Sequence, residues 1–206
     1  MIGIYNYTVI LTYLGMVSGF TGILCITSGN VKMALLCLMA SGFCDMFDGK
    51  IASTMERTRQ EKRFGIQIDS LSDLICFGVL PGMIGYHCAD KTLLSAAIAA
   101  AYVLCALIRL AWFNVDEEQR QEEESSRREV YLGLPVTASA LLLPLLIGTG
   151  WKNDLPFAEM SHWLLLGTAV AFLTPFRLKK PQKMGLCLLA LMGLAAFVTV
   201  LTGGIV

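Results

Sequence analysis

The chain has 206 residues, of which 55% are hydrophobic and only 16% are charged, and its mean hydropathy is +0.63. Soluble domains carry about 25% charged residues, so this composition excludes a disordered chain and an ordinary soluble globule. Lys+Arg and Asp+Glu both number 16, and the resulting zero net charge gives no indication of a nucleic-acid partner. We therefore expect one integral membrane domain over residues 1–206.

Apolar segments follow one another along the whole chain, and a membrane-spanning helix needs about 20 such residues. They predict an all-α, polytopic transmembrane bundle of about seven helices, with six to eight compatible with the pattern. Pro81 and Pro144 lie inside two of the segments and predict kinks. In chain order, the predicted helices span Tyr5–Ser28, Val31–Ser53, Ile66–Cys88, Leu93–Val115, Leu134–Thr149, Met160–Phe176 and Met184–Thr202.

Basic residues are concentrated in alternate connections between these helices. Of the 16, 13 follow the second, fourth and sixth helices, and the other connections hold one each. Positively charged loops stay in the cytoplasm, which predicts a cytoplasmic N-terminus and an external C-terminus. The acidic run from Asp116 to Glu124 predicts a solvated loop after the fourth helix.

Four aspartates flank the second connection, near the cytoplasmic ends of the second and third helices. Asp45 and Asp48 are three residues apart, and Asp69 and Asp73 are four apart. Each pair therefore shares one helix face, with Cβ atoms about 5–6 Å apart. Because a short connection makes the two helices antiparallel neighbours, we expect all four carboxylates to converge.

Carboxylates in a membrane need compensation, since each intramembrane aspartate costs about 2.5–3.5 kcal/mol and like charges repel. A set of oxygen ligands suits Mg²⁺, Mn²⁺ or Ca²⁺ rather than zinc. Four carboxylates favour two cations with bridging aspartates, an arrangement suited to phosphoryl or phosphodiester transfer. Gly49 and Gly65, beside the two pairs, permit close approach of a ligand or a helix. An ion path through a divalent-cation transporter is the alternative.

The pattern D-x2-D-G-x2-A over residues 45–52, followed by G-x3-D-x3-D over residues 65–73, resembles a known signature. It is that of the CDP-alcohol phosphatidyltransferases, D-x2-D-G-x2-A-R-x8-G-x3-D-x3-D. Residues 69–81, 109–114 and 133–135 are similar to the phosphatidylserine synthase branch of that family. The resemblance covers the first five predicted helices, and the last two match only in hydrophobicity.

The resemblance implies transfer of a phosphatidyl group from CDP-diacylglycerol to L-serine, which gives phosphatidylserine and CMP. It implies that Asp45, Asp48 and Asp69 bind two divalent cations, Mg²⁺ or Mn²⁺, with Ca²⁺ as a further candidate. Asp73 would share a metal and act as the general base on the serine hydroxyl. Members of the family often form homodimers, so we expect one here. Glycerol phosphate or inositol phosphate as the acceptor is the alternative within the same chemistry.

The nucleotide site implied by the resemblance departs from the family pattern at two points. Gly49, Ala52 and Gly65 would line this site, but the family arginine after Ala52 is Ser53 here. The spacing between Ala52 and Gly65 is also three residues longer than in the signature. A neutral hydrogen bond from Ser53 is one substitute for the missing arginine. The candidates for a substitute positive charge are Lys50, Arg57 and Arg59.

The acceptor pocket is expected near the later segments of the resemblance. The candidates are Arg109, Asn114, Gly133 and Pro135. Arg109 would pair with the carboxylate of serine, although an arginine that merely extends to the membrane interface is the alternative. A site at the cytoplasmic interface would suit a donor with acyl chains and a water-soluble acceptor.

Overall fold

The computed structural model describes residues 2–123, 130–152, 157–179 and 183–202. Within these ranges it contains seven continuous helices, which confirms the predicted helical membrane bundle. A 3₁₀ turn (Tyr7–Val9) leads into α1 (Ile10–Thr27), which is followed by α2 (Val31–Ala52). The third continuous helix consists of α3 (Arg59–Asp73), a π-helical turn (Leu74–Val79) and α4 (Leu80–Cys88). The remaining helices are α5 (Leu93–Glu123), α6 (Ser139–Lys152) after a 3₁₀ turn (Val136–Ala138), α7 (Phe157–Leu173) and α8 (Lys183–Thr202).

Several of these helices have the length and apolar composition that a bilayer requires. Among the described residues, Tyr7–Thr27, Arg59–Cys88 and Leu93–Gln119 are each long and apolar enough to cross a membrane. Leucines such as Leu191 and Leu194 on α8 are about 60% exposed, as lipid-facing side chains are. The chain is an integral membrane protein.

The bundle packs around a core at the centre of the third helix. α1 lies along α2, α2 packs on α6, α6 on α8, and α5 on α7. Leu38, Phe77, Tyr102 and Leu143, from four different helices, are each at most 1% exposed. The π-helical turn that contains Phe77 is thus surrounded by other helices.

Gly15 and Gly19, one turn apart on α1, allow close helix packing, as their small-residue spacing predicts. A Cβ atom at Gly15 would lie 3.3 Å from the Cβ atom of Cys44 on α2. A Cβ atom at Gly19 would overlap the sulfur atom of Cys76 in the π-helical turn. The two glycines therefore bring α1 into direct contact with both helices that carry the aspartates.

Two short strands, absent from the predicted fold, connect the loops that precede α6 and follow α7. β1 (Val130–Leu132) and β2 (Arg177–Lys179) pair in antiparallel register, with Tyr131 opposite Leu178. Gly133 follows β1 with a φ of +73°, and its N–H donates to the Phe176 carbonyl over 2.7 Å. Only glycine adopts this conformation readily, so the turn fixes β1 against the end of α7.

Two predicted boundaries are wrong, and both helices are longer than expected. α3 begins at Arg59 rather than Ile66, because Thr58 and Glu61 form a capping box in which each side chain bonds the other's backbone N–H. α5 continues to Glu123, so the acidic stretch from Asp116 is helical rather than a loop. Glu, Gln and Arg are good helix formers, and the helix simply extends beyond the apolar segment. Glu124 lies outside the described residues.

Candidate active site

Three of the four predicted aspartates meet where α2 and α3 lie side by side. A carboxylate oxygen from each of Asp45, Asp48 and Asp69 lies within 4.8 Å of the others. All three side chains are half-buried. The arrangement follows from the antiparallel packing of two helices that each present one acidic face.

Asp73 lies one helical turn beyond Asp69 and faces the same cavity. This cavity lies between α1, α2 and α3, and its lining includes all four aspartates together with Thr12 and Ser72. Thr12 on α1 donates a hydrogen bond to Asp48 Oδ2 over 3.2 Å. The sequence pattern does not reveal the role of Thr12, because a lone threonine far along the chain has no spacing relation to the aspartates.

The wall of the cavity behind the aspartates is held by hydrogen bonds to the backbone of α1. The carbonyl of Gly15 accepts from the Ser41 hydroxyl over 2.9 Å and from the Cys76 thiol over 3.4 Å. The Ser72 hydroxyl donates to the Thr12 carbonyl over 3.5 Å. These contacts join α1, α2 and the third helix at the level of the carboxylates.

The donor set fits a hard divalent cation. Three carboxylates this close repel one another, and partial burial removes much of the water that would screen them. Oxygen atoms spaced in this way can all reach one cation, and Mg²⁺, Mn²⁺ and Ca²⁺ prefer such ligands. Among the described residues, the aspartate group is the only cluster of three or more His, Cys, Asp or Glu side chains with this geometry.

The predicted nucleotide-binding residues lie around the connection between α2 and α3. Gly49 is exposed, and a Cβ atom there would meet open space. Lys50 is exposed, with its Nζ atom 5.0 Å above the Phe47 ring. The Ser53 hydroxyl donates to the Lys50 carbonyl over 2.7 Å, within its own helix end. The half-buried Ala52 lies in the last turn of α2.

Arg57 lies next to Gly65, at the border of the predicted nucleotide site. Its Nη1 atom is 3.2 Å from the position that a Cβ atom on Gly65 would occupy. Its Nε atom is buried and has no hydrogen-bond partner among the described residues. Arg59, the other candidate in this segment, is exposed at the first residue of α3. The lengthened connection therefore directs one guanidinium back toward Gly65.

The predicted acceptor residues fall into two places. Asn114 on α5 accepts a hydrogen bond from Ser70 over 2.8 Å, which puts it beside the residue that follows Asp69. Arg109 is buried, and its guanidinium donates to the carbonyls of Leu132 and Leu134. Those carbonyls flank Gly133, so Arg109 and the turn formed by residues 133–135 make a second group, outside the described lining of the aspartate cavity.

Comparisons with known proteins agree on one family. A family model described as CDP-alcohol phosphatidyltransferase matches residues 5–175. A CDP-diacylglycerol–serine O-phosphatidyltransferase of Mycobacterium bovis is 27% identical over 204 residues, which cover 93% of this chain and 69% of the relative. Enzymes with the same name from Helicobacter pylori and Saccharomyces cerevisiae are each 33% identical, over 66% and 64% of this chain and about half of their own lengths.

Proposed function

Because the chain belongs to the CDP-alcohol phosphatidyltransferase family, we propose that it transfers a phosphatidyl group from CDP-diacylglycerol to L-serine. The products are phosphatidylserine and CMP. The observation that carries the proposal is the meeting of three carboxylates within 4.8 Å, beside Asp73, in a cavity of a membrane bundle. Family membership favours this transferase over a cation transporter.

We propose two divalent cations, either Mg²⁺ or Mn²⁺, with Ca²⁺ as an alternative bound ion. Their ligands would be Asp45, Asp48 and Asp69. Their oxygen-only donor set and mutual distance support this assignment. When bound, the cations would neutralise the pyrophosphate and make CMP a better leaving group.

Asp73 is proposed as the general base. A serine hydroxyl is a weak nucleophile until a positioned base accepts its proton. As the serine oxygen bonds to the phosphorus atom of the phosphatidyl group, Asp73 takes the proton and the bond to the CMP oxygen breaks. The location of Asp73 on the same cavity as the other three aspartates supports this role.

The nucleotide would lie along Gly49, Ala52 and Gly65, with Arg57 in place of the family arginine that is Ser53 here. The guanidinium beside Gly65 and its unpartnered Nε atom support Arg57 over the exposed Lys50 and Arg59. A guanidinium in this position can donate to phosphate oxygens in two directions.

The acceptor would enter between α3 and α5. Asn114, held by Ser70 next to Asp69, is the acceptor-site candidate nearest to the aspartates in the described contacts. Arg109, Gly133 and Pro135 would act from the adjoining turn, since the contacts of Arg109 with Leu132 and Leu134 hold that turn. A pairing of Arg109 with the serine carboxylate stays a prediction.

We propose that the aspartate cavity faces the cytoplasm, with the N-terminus inside and the C-terminus outside. The Asn6 side chain donates a hydrogen bond to Glu61, and the Tyr7 hydroxyl is hydrogen-bonded to Thr54. These bonds support an N-terminus on the same side as the basic connection between α2 and α3. At the opposite end, Lys32 donates to the Leu201 carbonyl over 3.1 Å. The positive-inside rule assigns the first of these ends to the cytoplasm.

A single catalytic domain over residues 1–206 and a homodimer also stay predictions. Chemical crosslinking in native membranes would test the homodimer, because a dimer gives one discrete product at twice the monomer mass. Proteolysis that releases a stable, active fragment would contradict the single domain.

The function is tested by measuring CMP release from CDP-diacylglycerol by the purified protein. The reaction is run with Mg²⁺ or Mn²⁺ and with serine, glycerol phosphate or inositol phosphate as the acceptor. We expect serine-dependent CMP release that EDTA abolishes. CMP release only with a phosphorylated acceptor would refute the proposed specificity for serine. Uptake of the cation into sealed vesicles without any CMP release would refute the proposed transferase activity.

A further inference from the structure

The π-helical turn begins at Leu74, directly after Asp73, and it forms part of the cavity wall. In this turn, backbone N–H groups bond five residues back instead of four, as the Leu80 N–H does with the Ile75 carbonyl. Cys76 and Phe77 from the turn line the cavity that the aspartates share. The geometry of the turn therefore sets how the helix that carries Asp69 and Asp73 continues into α4.

The carbonyl of Phe77 lacks its usual helical partner. In an α-helix it would accept from the residue four positions later, which is Pro81 and has no N–H. Two hydroxyls from other helices approach this carbonyl instead. Tyr102 of α5 donates to it over 2.9 Å, whereas the single proton of the Ser139 hydroxyl on α6 is shared between the carbonyls of Phe77, at 3.3 Å, and Val136, at 2.8 Å. Both residues are 0% exposed, so no water competes for the carbonyl at this point.

We propose that Tyr102 and Ser139 are positioning residues for the transfer reaction, because their hydroxyls fix the π-helical turn that directs the carboxyl group of Asp73 into the cavity. The inference rests on the proposed function, in which Asp73 is the base. Neither hydroxyl lines the cavity among the described residues, so both act through the Phe77 carbonyl.

The chemistry predicts an effect on turnover rather than on donor binding. Asp45 and Asp48 lie on α2, and Asp69 lies one helical turn further from the π-helical turn than Asp73, which adjoins it. A displacement of about 1 Å in a reacting group costs up to about a hundredfold in rate. Because Ser139 also bonds the Val136 carbonyl, its contribution is the smaller one while Tyr102 is present. Without the Tyr102 hydroxyl, the Ser139 proton can turn fully to Phe77, so the double variant should lose more than the product of the single losses.

The test compares Tyr102→Phe, Ser139→Ala and their double variant with wild type in the CMP-release assay. We expect kcat to fall about tenfold for Tyr102→Phe and about a hundredfold for the double variant. The KM for CDP-diacylglycerol should stay within about twofold, since ground-state binding is unchanged. Tyr102→Phe keeps the ring that packs 5.4 Å from the Phe172 ring, so the core stays filled.

Ser95→Ala provides a matched control. Ser95 is also buried, and its hydroxyl lies 2.9 Å from His162 Nε2 on α7, in a bond between helices that is remote from the aspartate cavity. Loss of this bond should lower the melting temperature about as much as Ser139→Ala does, with kcat unchanged. An equal loss of kcat in Ser95→Ala would show general destabilisation and overturn the positioning role.

Pro81→Ala tests the same idea from the opposite direction, because alanine restores the missing N–H and favours a regular α-helix. We expect equal or higher thermal stability together with a lower kcat. Altered amide exchange at residues 78–82 together with wild-type kcat would overturn the proposal, because the turn would then have changed without any effect on the reaction.

Amide hydrogen exchange separates failure of this inference from failure of the proposed function. Exchange at residues 78–82 should be faster in the double variant than in wild type if the two hydroxyls hold the turn. Faster exchange with unchanged kcat, or unchanged exchange, would refute the positioning role. A wild-type protein that releases no CMP would refute the proposed function, while the exchange comparison would still decide whether Tyr102 and Ser139 hold the turn.

Discussion

Removal of the Arg57 charge should weaken the binding of CDP-diacylglycerol and leave the binding of serine unchanged. A charge-assisted hydrogen bond contributes about 1.5–3 kcal/mol, or about 10- to 100-fold in affinity. Arg57 is only half-buried, so solvent screening reduces this value. We therefore expect Arg57→Ala to raise the KM for CDP-diacylglycerol about 10- to 30-fold.

A substitution at Gly65 provides a second, smaller perturbation of the proposed contact between Arg57 and the donor. A methyl group on Gly65 would lie 3.2 Å from Arg57 Nη1, so the end of the guanidinium would have to shift by a few tenths of an ångström. We expect Gly65→Ala to raise the same KM by about two- to fivefold. In the Arg57→Ala background the added methyl group should have no further effect, because the group it displaces is gone.

The assay is initial-rate CMP release, with CDP-diacylglycerol varied at saturating serine and serine varied at saturating donor. Lys50→Ala and Arg59→Ala are the matched controls, since each removes one exposed positive charge from a helix end that borders the same connection. Arg57→Lys should recover part of the loss. A KM within about twofold of wild type for Arg57→Ala would refute the reasoning. If Arg57→Ala leaves this KM unchanged and Ser53→Arg binds CDP-diacylglycerol more tightly, the result would favour the alternative in which Ser53 supplies a neutral hydrogen bond and no positive charge replaces the family arginine.

Three further predictions concern the metal, the topology and the packing of α1. Asp69→Ala should abolish CMP release although the protein still inserts into membranes; residual activity that EDTA does not affect would contradict the metal site. A cysteine label within residues 120–128 should react only from the cytoplasmic side, and one at Lys91 only from outside, whereas the reverse would overturn the orientation. Gly19→Ala should lower stability by about 1–3 kcal/mol in thermal unfolding because of overlap with Cys76, and Cys76→Ala should restore part of the loss.

The helix count and the aspartate cluster could be predicted from sequence because both depend on local patterns. Runs of apolar residues define membrane helices, and spacings of three and four residues place Asp45 with Asp48 and Asp69 with Asp73 on shared faces. The structure brings three of the four together as the spacing indicates. The fourth, Asp73, shares their cavity.

Contacts between segments far apart in the chain could not be predicted in this way. The bond of Thr12 to Asp48 and the bonds of Tyr102 and Ser139 to Phe77 depend on how whole helices pack. Charge density from Asp116 onward predicts a loop, but Glu, Gln and Arg have high helix propensity, and α5 continues past Val115 to Glu123. The sequence does contain a local signal for the π-helical turn. Pro81 lies within an apolar helix and has no N–H, so the carbonyl four residues earlier must accept its hydrogen bond from another group.

The pairing of β1 with β2 has a consequence for biogenesis. Val130 precedes α6 and α7, and its partner Lys179 follows them, so the strands cannot join until both helices have left the ribosome. The helices that carry the aspartates are synthesised earlier. The order of synthesis therefore allows the carboxylates to meet before the strands join, and β1 can pair with β2 only after α6 and α7 have been made.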